Sequence, residues 1–227
     1  QSRSCRFVVG TSAAGWTAAD VDYLCDGTDD QVEINAAINA LPAEGGEIVL
    51  LDGIYNITDS IKINKANVSI VGNNKKTILK RMWDSVASNN GIIIITSDGC
   101  SVKEFHFEGN ATEYSAVYNN ALNIQNSEHS VISQNSFSDI AAIGIRGFIT
   151  KELYICDNQI DGCKGNAIEL NSSEYGSINN NLIKNCESNG IYITQNSYHN
   201  VILNNQCFDN ASTGISLIND GIVVGNY

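Results

Sequence analysis

The 227-residue sequence predicts an all-β solenoid, a single-stranded parallel β-helix of about seven coils with one capping α-helix near the N-terminus. Three observations predict this fold. The second half repeats with a period of about 23 residues, isoleucine and asparagine recur at fixed places in the repeat, and one amphipathic segment precedes it. A fixed period of this size is typical of stacked repeats, in which each repeat buries its apolar face against its neighbours.

The amphipathic segment is predicted as a helix over Asp29–Leu41. Thr28 or Asp29 is placed to cap its N-terminus, and Pro42 ends it. Its apolar stripe consists of Val32, Ile34, Ala37, Ile38 and Leu41. Because open strand edges at the end of a solenoid invite aggregation, we expect this stripe to lie over the first coil as a lid.

The coils are predicted from columns of like residues. Apolar residues two apart indicate a strand with one face inward. Those that open the coils are Ile61, Ile92, Leu122, Ile145, Ile168, Ile191 and Ile215, followed two residues later by Ile63, Ile94, Ile124, Gly147, Leu170, Ile193 and Leu217. An asparagine column contains Asn73, Asn110, Asn135, Asn158, Asn181, Asn205 and Asn226, each three residues after an apolar residue. We expect these amides to hydrogen-bond from coil to coil.

The stretch CDGTDDQVEINAAINALPAEGGEIVLLDGIYNIT also carries a family resemblance. It resembles the N-terminal cap of the pectin-lyase-like superfamily of right-handed parallel β-helices, most closely from Asp26 to Tyr55. The resemblance implies a cap over residues 1–58 that leads into the first coil, and coils over residues 59–227. Because this superfamily includes pectate lyases, polygalacturonases, uronan epimerases and phage tailspikes, the resemblance implies a fold rather than one activity.

Composition restricts the partners. The net charge of −12 argues against nucleic acid, whose binding depends on phosphate neutralisation by Lys and Arg. No apolar run approaches the roughly 20 residues of a membrane span. The seven cysteines form no CxxC pair, and those in the repeat fall mostly at apolar positions, which predicts buried free thiols and folding under reducing conditions. No cofactor is predicted, and the acidic turn residues are too staggered to indicate calcium.

Two enlarged coils give the first candidate site. Segments Lys80–Asn90 and Gly109–Asn120 precede strands on consecutive coils, so we expect them to meet at one corner. Asp84 and Glu113 are the candidate acid and base there, as a glycosidase pair requires. The candidate sugar-binding residues are Arg81, Trp83, Tyr114 and Tyr118. The alternative is that these aromatic side chains pack the corner or an oligomer seam.

The outward positions of the first strand in each coil give the second candidate site. Arg146, Glu169 and Tyr192 occupy one such column, with neighbours about 4.8 Å apart. Glu169 is the third candidate catalytic carboxylate, and Arg146 and Tyr192 are further candidate sugar-binding residues. The alternative is a structural Arg–Glu pair on a solvated face.

These observations favour a glycan-recognising β-helix of a phage tail or of a bacterial cell-surface or secreted appendage. Its partner is then a polysaccharide or cell-surface glycan at a virion or extracellular surface. A polysaccharide lyase or glycoside hydrolase is the first alternative, although the catalytic motifs of polygalacturonases and uronan epimerases are absent. A structural spacer is the second. The chain stops in mid-coil at Tyr227, so we expect either that more protein follows in the natural chain or that oligomerisation covers this end. The resemblance to tailspikes implies a homotrimer as one such arrangement.

Overall fold

A computed structural model describes residues 5–194, 196–218 and 221–226, and its strands form a parallel β-helix. The helix has three sheets, in which strands of successive turns pair in parallel. Seven coils each contribute one strand to each sheet. Coils 1 to 7 span residues 46–63, 68–95, 101–128, 131–151, 154–171, 177–193 and 200–217.

The strands divide among the sheets as follows. The first sheet contains Arg6–Thr11, Tyr23–Cys25, Gly46–Leu50, Val68–Val71, Ser101–Lys103, Val131–Ser133, Tyr154–Cys156, Ser177–Asn179, Asn200–Leu203 and Gly221–Val224. The second contains Gly53–Ile57, Thr77–Arg81, Phe105–Glu108, Ser136–Ile140, Gln159–Cys163, Leu182–Lys184 and Gln206–Phe208. The third contains Ile61–Ile63, Ile93–Ile95, Leu122–Glu128, Ile145–Lys151, Ile168–Asn171, Ile191–Ile193 and Ile215–Leu217.

The predicted lid is present as an α-helix over Gln31–Ala40. Ile34, Ala37 and Ile38 are buried in the core that continues into the coils. Val32 is 57% exposed, so its assignment to the buried stripe was wrong. It lies in the first turn of the helix, on the side away from the coil. No α-helix within the described residues is long and apolar enough to cross a membrane.

The N-terminus of the helix is built differently from the prediction. The N-cap residue is Asp30, and its side chain makes no capping hydrogen bond. Its carboxylate instead accepts hydrogen bonds from the backbone N–H groups of Gly27 at 2.8 Å and Asn56 at 2.7 Å. Asp30 therefore joins the turn before the helix to the second strand of coil 1, and burial raises its pKa.

The asparagine ladder is confirmed in coils 4 to 7. Each amide nitrogen donates to the amide oxygen of the next rung, at 3.1 Å from Asn135 to Asn158 and 3.1 Å from Asn158 to Asn181. Asn205 and Asn226 continue the ladder at 2.9 and 3.0 Å. Each rung follows a residue in the left-handed region, such as Asp157 before Asn158, so the same tight turn recurs in each coil.

The early asparagines lie outside the ladder. Asn73 is exposed and donates to Asp52, and Asn110 donates to the carbonyl of Arg81. In coil 3 the residue that pairs with Ile132 is Val102, and the predicted Phe107 lies in the second sheet. The predicted pair of Phe107 and Asn110 was therefore wrong for coil 3. An insertion makes this coil longer than the repeat of 23 residues, so counting back by 23 does not reach the equivalent residue.

The third-sheet strand of coil 2 is shifted by one residue from the prediction. Ile93 and Ile95 pair with Leu122 and Ile124 and face inward, whereas Ile94 is half-buried on the outside. The predicted pair Ile92 and Ile94 was therefore wrong. The run of four isoleucines at this point carries no alternation from which the inward face could be read.

The cysteines are free thiols. Cys163 and Cys186 are buried, whereas Cys156 and Cys207 are half-buried. The neighbouring Cys186 thiol and burial raise the pKa of the Cys163 thiol. Folding under reducing conditions stays a prediction.

Candidate functional site

The outer face of the third sheet brings the predicted column together. Asn123, Arg146, Glu169 and Tyr192 pair with one another in consecutive strands. The adjacency of these side chains follows from the parallel register, since the repeat returns to the same outward position after 23 residues. Two residues after Arg146, Phe148 is likewise in register with Gln125 and Asn171 of the neighbouring strands.

Arg146 is the most constrained side chain on this face. Its Nε lies 3.7 Å from Glu169 Oε1, and both side chains are only 14% exposed. Its Nη1 donates at 3.5 Å to the carbonyl of Ser88 and to Asn89 Oδ1, and its guanidinium lies 5.0 Å from the centre of the Phe148 ring. The enlarged loop of coil 2 therefore rests on Arg146.

Glu169 is held from two sides. Its Oε1 faces Arg146, and its Oε2 accepts a hydrogen bond of 2.8 Å from Asn166 Nδ2. Glu169 also lines two adjoining cavities, of about 200 Å³ and about 440 Å³. The smaller is lined by Ser88, Val117, Tyr118, Asn120, Ile143, Arg146 and Glu169, and the larger by Glu169, Asn171, Tyr192, Thr194, Asn196 and Ile218. We call the two together the third-sheet groove.

The two enlarged segments meet at one corner, as predicted. Asp84 Oδ1 accepts hydrogen bonds from the Ala116 N–H at 3.0 Å and from Asn119 Nδ2 at 2.8 Å. The Ser85 N–H donates to Asn119 Oδ1 at 2.8 Å. Asp84 is thus engaged in holding the two segments together, although it remains exposed.

Arg81 is fully buried, which is at odds with its predicted contact to a glycan. It ends the strand Thr77–Arg81, in which alternate residues point inward. Its Nη2 donates to the carbonyl of Asn120 at 2.6 Å, and its guanidinium stacks 3.8 Å from the centre of the half-buried Trp83 ring. Burial lowers the pKa of Arg81 to about 9, with the charge of Asp84 opposing that shift. Arg81 and Trp83 therefore pack the corner.

The remaining candidate residues at the corner differ in exposure and in position. Glu113 is exposed, Tyr114 is half-buried and Tyr118 is 41% exposed. Of these three, only Tyr118 lines the third-sheet groove. The two surfaces that the sequence predicted separately are thus one, joined through Tyr118 and Ser88.

Sequence reasoning missed the loop residues that contact this face. Ser88, Asn89 and Val117 lie in inserted segments without periodicity, so no pattern located them. Asn123 pairs with Arg146 in the same column. It is fully buried, and neither atom of its amide has a hydrogen-bond partner in the part of the chain that the structure describes.

One group of potential metal ligands converges within the described residues, namely Cys25, Asp30 and Glu33. It lies under the cap and away from the groove. Both oxygens of Asp30 already accept backbone hydrogen bonds, and burial raises the pKa of the Cys25 thiol, which disfavours the thiolate that binds metals. We assign this group to the structure of the cap.

Comparison with known proteins agrees with this geometry. A family model described as the right handed beta helix region matches residues 90–227. Since this is more than half of the chain, the protein belongs to that family of right-handed parallel β-helices, and its resemblance to pectin-lyase-like proteins is confirmed. No curated protein matches the chain by sequence.

Solved structures share the fold. The A-module of the Azotobacter vinelandii mannuronan C-5 epimerase AlgE4 superposes with a TM-score of 0.73 at 17% identity, over 91% of this chain and 59% of that one. Endo-xylogalacturonan hydrolase from Aspergillus tubingensis gives 0.72 at 16% identity, over 96% and 64%. The Dettilon tailspike protein gives 0.58 at 17% identity, over 85% and 44%. The chain therefore spans less than two thirds of the length of each of these proteins.

Proposed function

We propose that this protein is a glycan-recognising β-helix of a phage tail or of a bacterial cell-surface or secreted appendage. It binds a polysaccharide along the third-sheet groove. The observation that carries the proposal is the continuous outward column of Arg146, Glu169 and Tyr192, beside Tyr118. Sugar rings stack their apolar faces on aromatic rings while their hydroxyls hydrogen-bond to polar neighbours.

The regular spacing of side chains along the groove suits a linear polysaccharide. Equivalent positions on successive coils lie about 4.8 Å apart along the solenoid axis. A chain lying along this axis contacts one coil after another, so weak contacts accumulate over its length. The neutral side chain of Asn171 supplies a hydrogen-bonding amide beside Tyr192.

The carboxylates favour binding over cleavage. Glu169 is the only carboxylate that lines the groove in the described ranges, whereas most glycoside hydrolases use two acids that flank the scissile bond. Asp84 is hydrogen-bonded in the corner and Glu113 lies outside the groove. A lyase or hydrolase using these three acids is therefore the weaker proposal. A structural spacer gives no account of half-exposed aromatic side chains in a groove.

The names of the similar structures support the polysaccharide class. One acts on mannuronan, another on xylogalacturonan, and a third is a tailspike protein. At such low identity these proteins share only the fold with this chain, so the argument for a glycan rests on the groove. A homotrimer and a virion or extracellular location stay predictions.

The test is binding of the purified chain to a panel of polysaccharides. We expect Tyr118→Ala and Tyr192→Ala each to weaken the best ligand about tenfold, which corresponds to about 1.4 kcal/mol. Tyr154→Ala is the matched control, because Tyr154 is 41% exposed on the first sheet, outside the groove. Folded protein that binds no polysaccharide would contradict the proposal.

A product assay on the same panel separates binding from catalysis. New reducing ends or unsaturated products that disappear in Glu169→Gln would make the protein an enzyme at the groove. Products that are lost in Asp84→Asn or Glu113→Gln would instead place the chemistry at the corner. We expect no products from any polysaccharide that the protein binds.

A further inference from the structure

We infer that the third-sheet groove selects neutral polysaccharides over those that contain uronic acids. This inference rests on the proposed function and names the class of ligand for the same groove. The reason is that the positive charge in this groove, on Arg146, is already paired with Glu169. Among the described residues that line the groove, Arg146 is the only positively charged one.

Arg146 is not free to receive a ligand carboxylate. Its guanidinium is shared among Glu169, the loop atoms of Ser88 and Asn89, and the face of Phe148, and its side chain is 14% exposed. A uronate would have to share the guanidinium with Glu169 or displace it. In either case two carboxylates would lie close together and partly buried beside one cation, which is costly where water is largely excluded.

Two described lysines outside the lining of the groove are already engaged by other groups. Lys164 Nζ donates to the carbonyl of Ala111, and Lys62 forms an ion pair with Asp59 at 3.1 Å on coil 1. Asp84 instead adds a negative charge on the loop segment beside the groove, next to Ala116. With a net charge of −12, the whole chain also repels a polyanion at distances within the Debye length.

Neutral sugars find suitable partners in the groove. Tyr118 and Tyr192 supply aromatic surface, and Asn171 supplies an amide. Because Asn171 is neutral, its amide can exchange hydrogen bonds with water for hydrogen bonds with sugar hydroxyls, and no charged partner has to be displaced.

The groove therefore differs from what two similar structures would suggest. Their names specify uronans, mannuronan and xylogalacturonan. Only the fold is shared at 17% and 16% identity, so the groove side chains decide the ligand. Here the cation is already neutralised by Glu169 within the protein.

The experiment compares oligosaccharides of equal length in two groups at physiological ionic strength. Neutral probes are gluco-, manno-, galacto- and xylo-oligosaccharides, and charged probes are mannuronate and galacturonate oligomers. We expect the best neutral probe to bind at least about tenfold more tightly than any uronate. A uronate that binds as tightly as the best neutral probe would overturn this inference and leave the proposed function standing. Failure of both groups to bind would overturn both.

A charge-removal variant tests the cause. Glu169→Gln frees Arg146, so we expect its affinity for the uronate oligomers to rise about tenfold. Glu152→Gln is the control: it removes one equal charge from Glu152, which pairs with His129 at 3.0 Å on a different turn, and we expect no gain. Circular dichroism establishes that both variants are folded. An unchanged uronate affinity in Glu169→Gln would overturn the role of the Arg146–Glu169 pair.

Discussion

Coils 4 to 7 differ from coils 2 and 3 in the hydrogen bonds that join each coil to the next. In the later coils, rungs such as Asn135 and Asn158 lie 23 residues apart, and one ladder satisfies the turn of each coil. In the earlier coils, other hydrogen bonds join neighbouring coils, such as those from the Cys100 N–H to Ser130 Oγ and from Ser101 Oγ to Ser69 Oγ, and these residues lie 30 and 32 apart. There the ladder position is taken by Phe105, whose N–H donates to Asn135 Oδ1 at 3.1 Å.

This difference indicates that the regular coils supply the buried hydrogen bonds that stabilise the solenoid, and that the irregular coils supply loops to the binding surface. Regular coils repeat a buried network, so their outer faces carry flat columns of side chains. The insertions of coils 2 and 3 interrupt that network and bring loop atoms such as the Ser88 carbonyl above Arg146. The smaller cavity of the groove forms where the loops from the irregular coils lie beside the flat column from the regular ones, whereas the larger cavity lies on the regular coils.

The largest expected effect on stability comes from removing one asparagine side chain of the buried ladder. Asn158→Ala removes four hydrogen bonds of one amide, two accepted from Asn135 and two donated, to the carbonyl of Ile132 and to Asn181 Oδ1. Because buried partners are left unpaired, we expect the free energy of unfolding to fall by about 2–4 kcal/mol in urea denaturation. Asn73→Ala is the control. Its exposed side chain should cost less than about 0.5 kcal/mol, and equal losses would contradict the contrast between the regions.

An intermediate effect is expected where the inward column is interrupted. Gly147→Ile restores the residue type that the column predicts, yet a Cβ at this position would lie 2.7 Å from Leu170 Cδ2 and 2.9 Å from Leu153 Cδ2. We expect overpacking to lower the free energy of unfolding by about 1–3 kcal/mol, with Gly147→Ala between wild type and the isoleucine variant. Thermal and urea unfolding measure this order. A stabilised Gly147→Ile would show that the column tolerates isoleucine after all.

The smallest effect is expected on the outside of the regular coils. Asp161 accepts hydrogen bonds from Asn185 Nδ2 at 2.7 Å and pairs with Lys184 at 3.0 Å, and these contacts lower its pKa, the bond from Asn185 most. The stability it contributes is therefore present above the usual carboxyl pKa and is lost as the pH falls through the lowered value. We expect Asp161→Asn to cost at most about 0.5 kcal/mol at pH 7, because the pair is exposed and screened.

The control for this prediction is the pH dependence of the stability difference between wild type and Asp161→Asn. Wild type and Asp161→Asn should approach the same stability below the lowered carboxyl pKa, as measured by urea unfolding across the acid range. A difference between them that grows as the pH falls would contradict the sign of this linkage.

The sequence by itself determined the parts of this protein that follow a constant step. A period of 23 residues fixed the stacking of Arg146, Glu169 and Tyr192, because parallel in-register strands turn spacing in the chain into neighbours in space. The same regularity predicted the rungs from Asn135 to Asn226. The cap was predicted from its own local pattern, since a helix stripe and its breaker residues are short-range signals.

The tertiary structure alone decided the rest. The inward face of the isoleucine run at coil 2, the burial of Arg81 and the contact of Ser88 with Arg146 depend on inserted segments whose paths have no period. Local sequence indicates that Ser88 lies in a loop, but the position of that loop depends on the side chain that it covers, Arg146. The fold and the outward column of the groove could therefore be predicted from repetition, whereas the loop-lined part of the groove depends on segments that break the repetition.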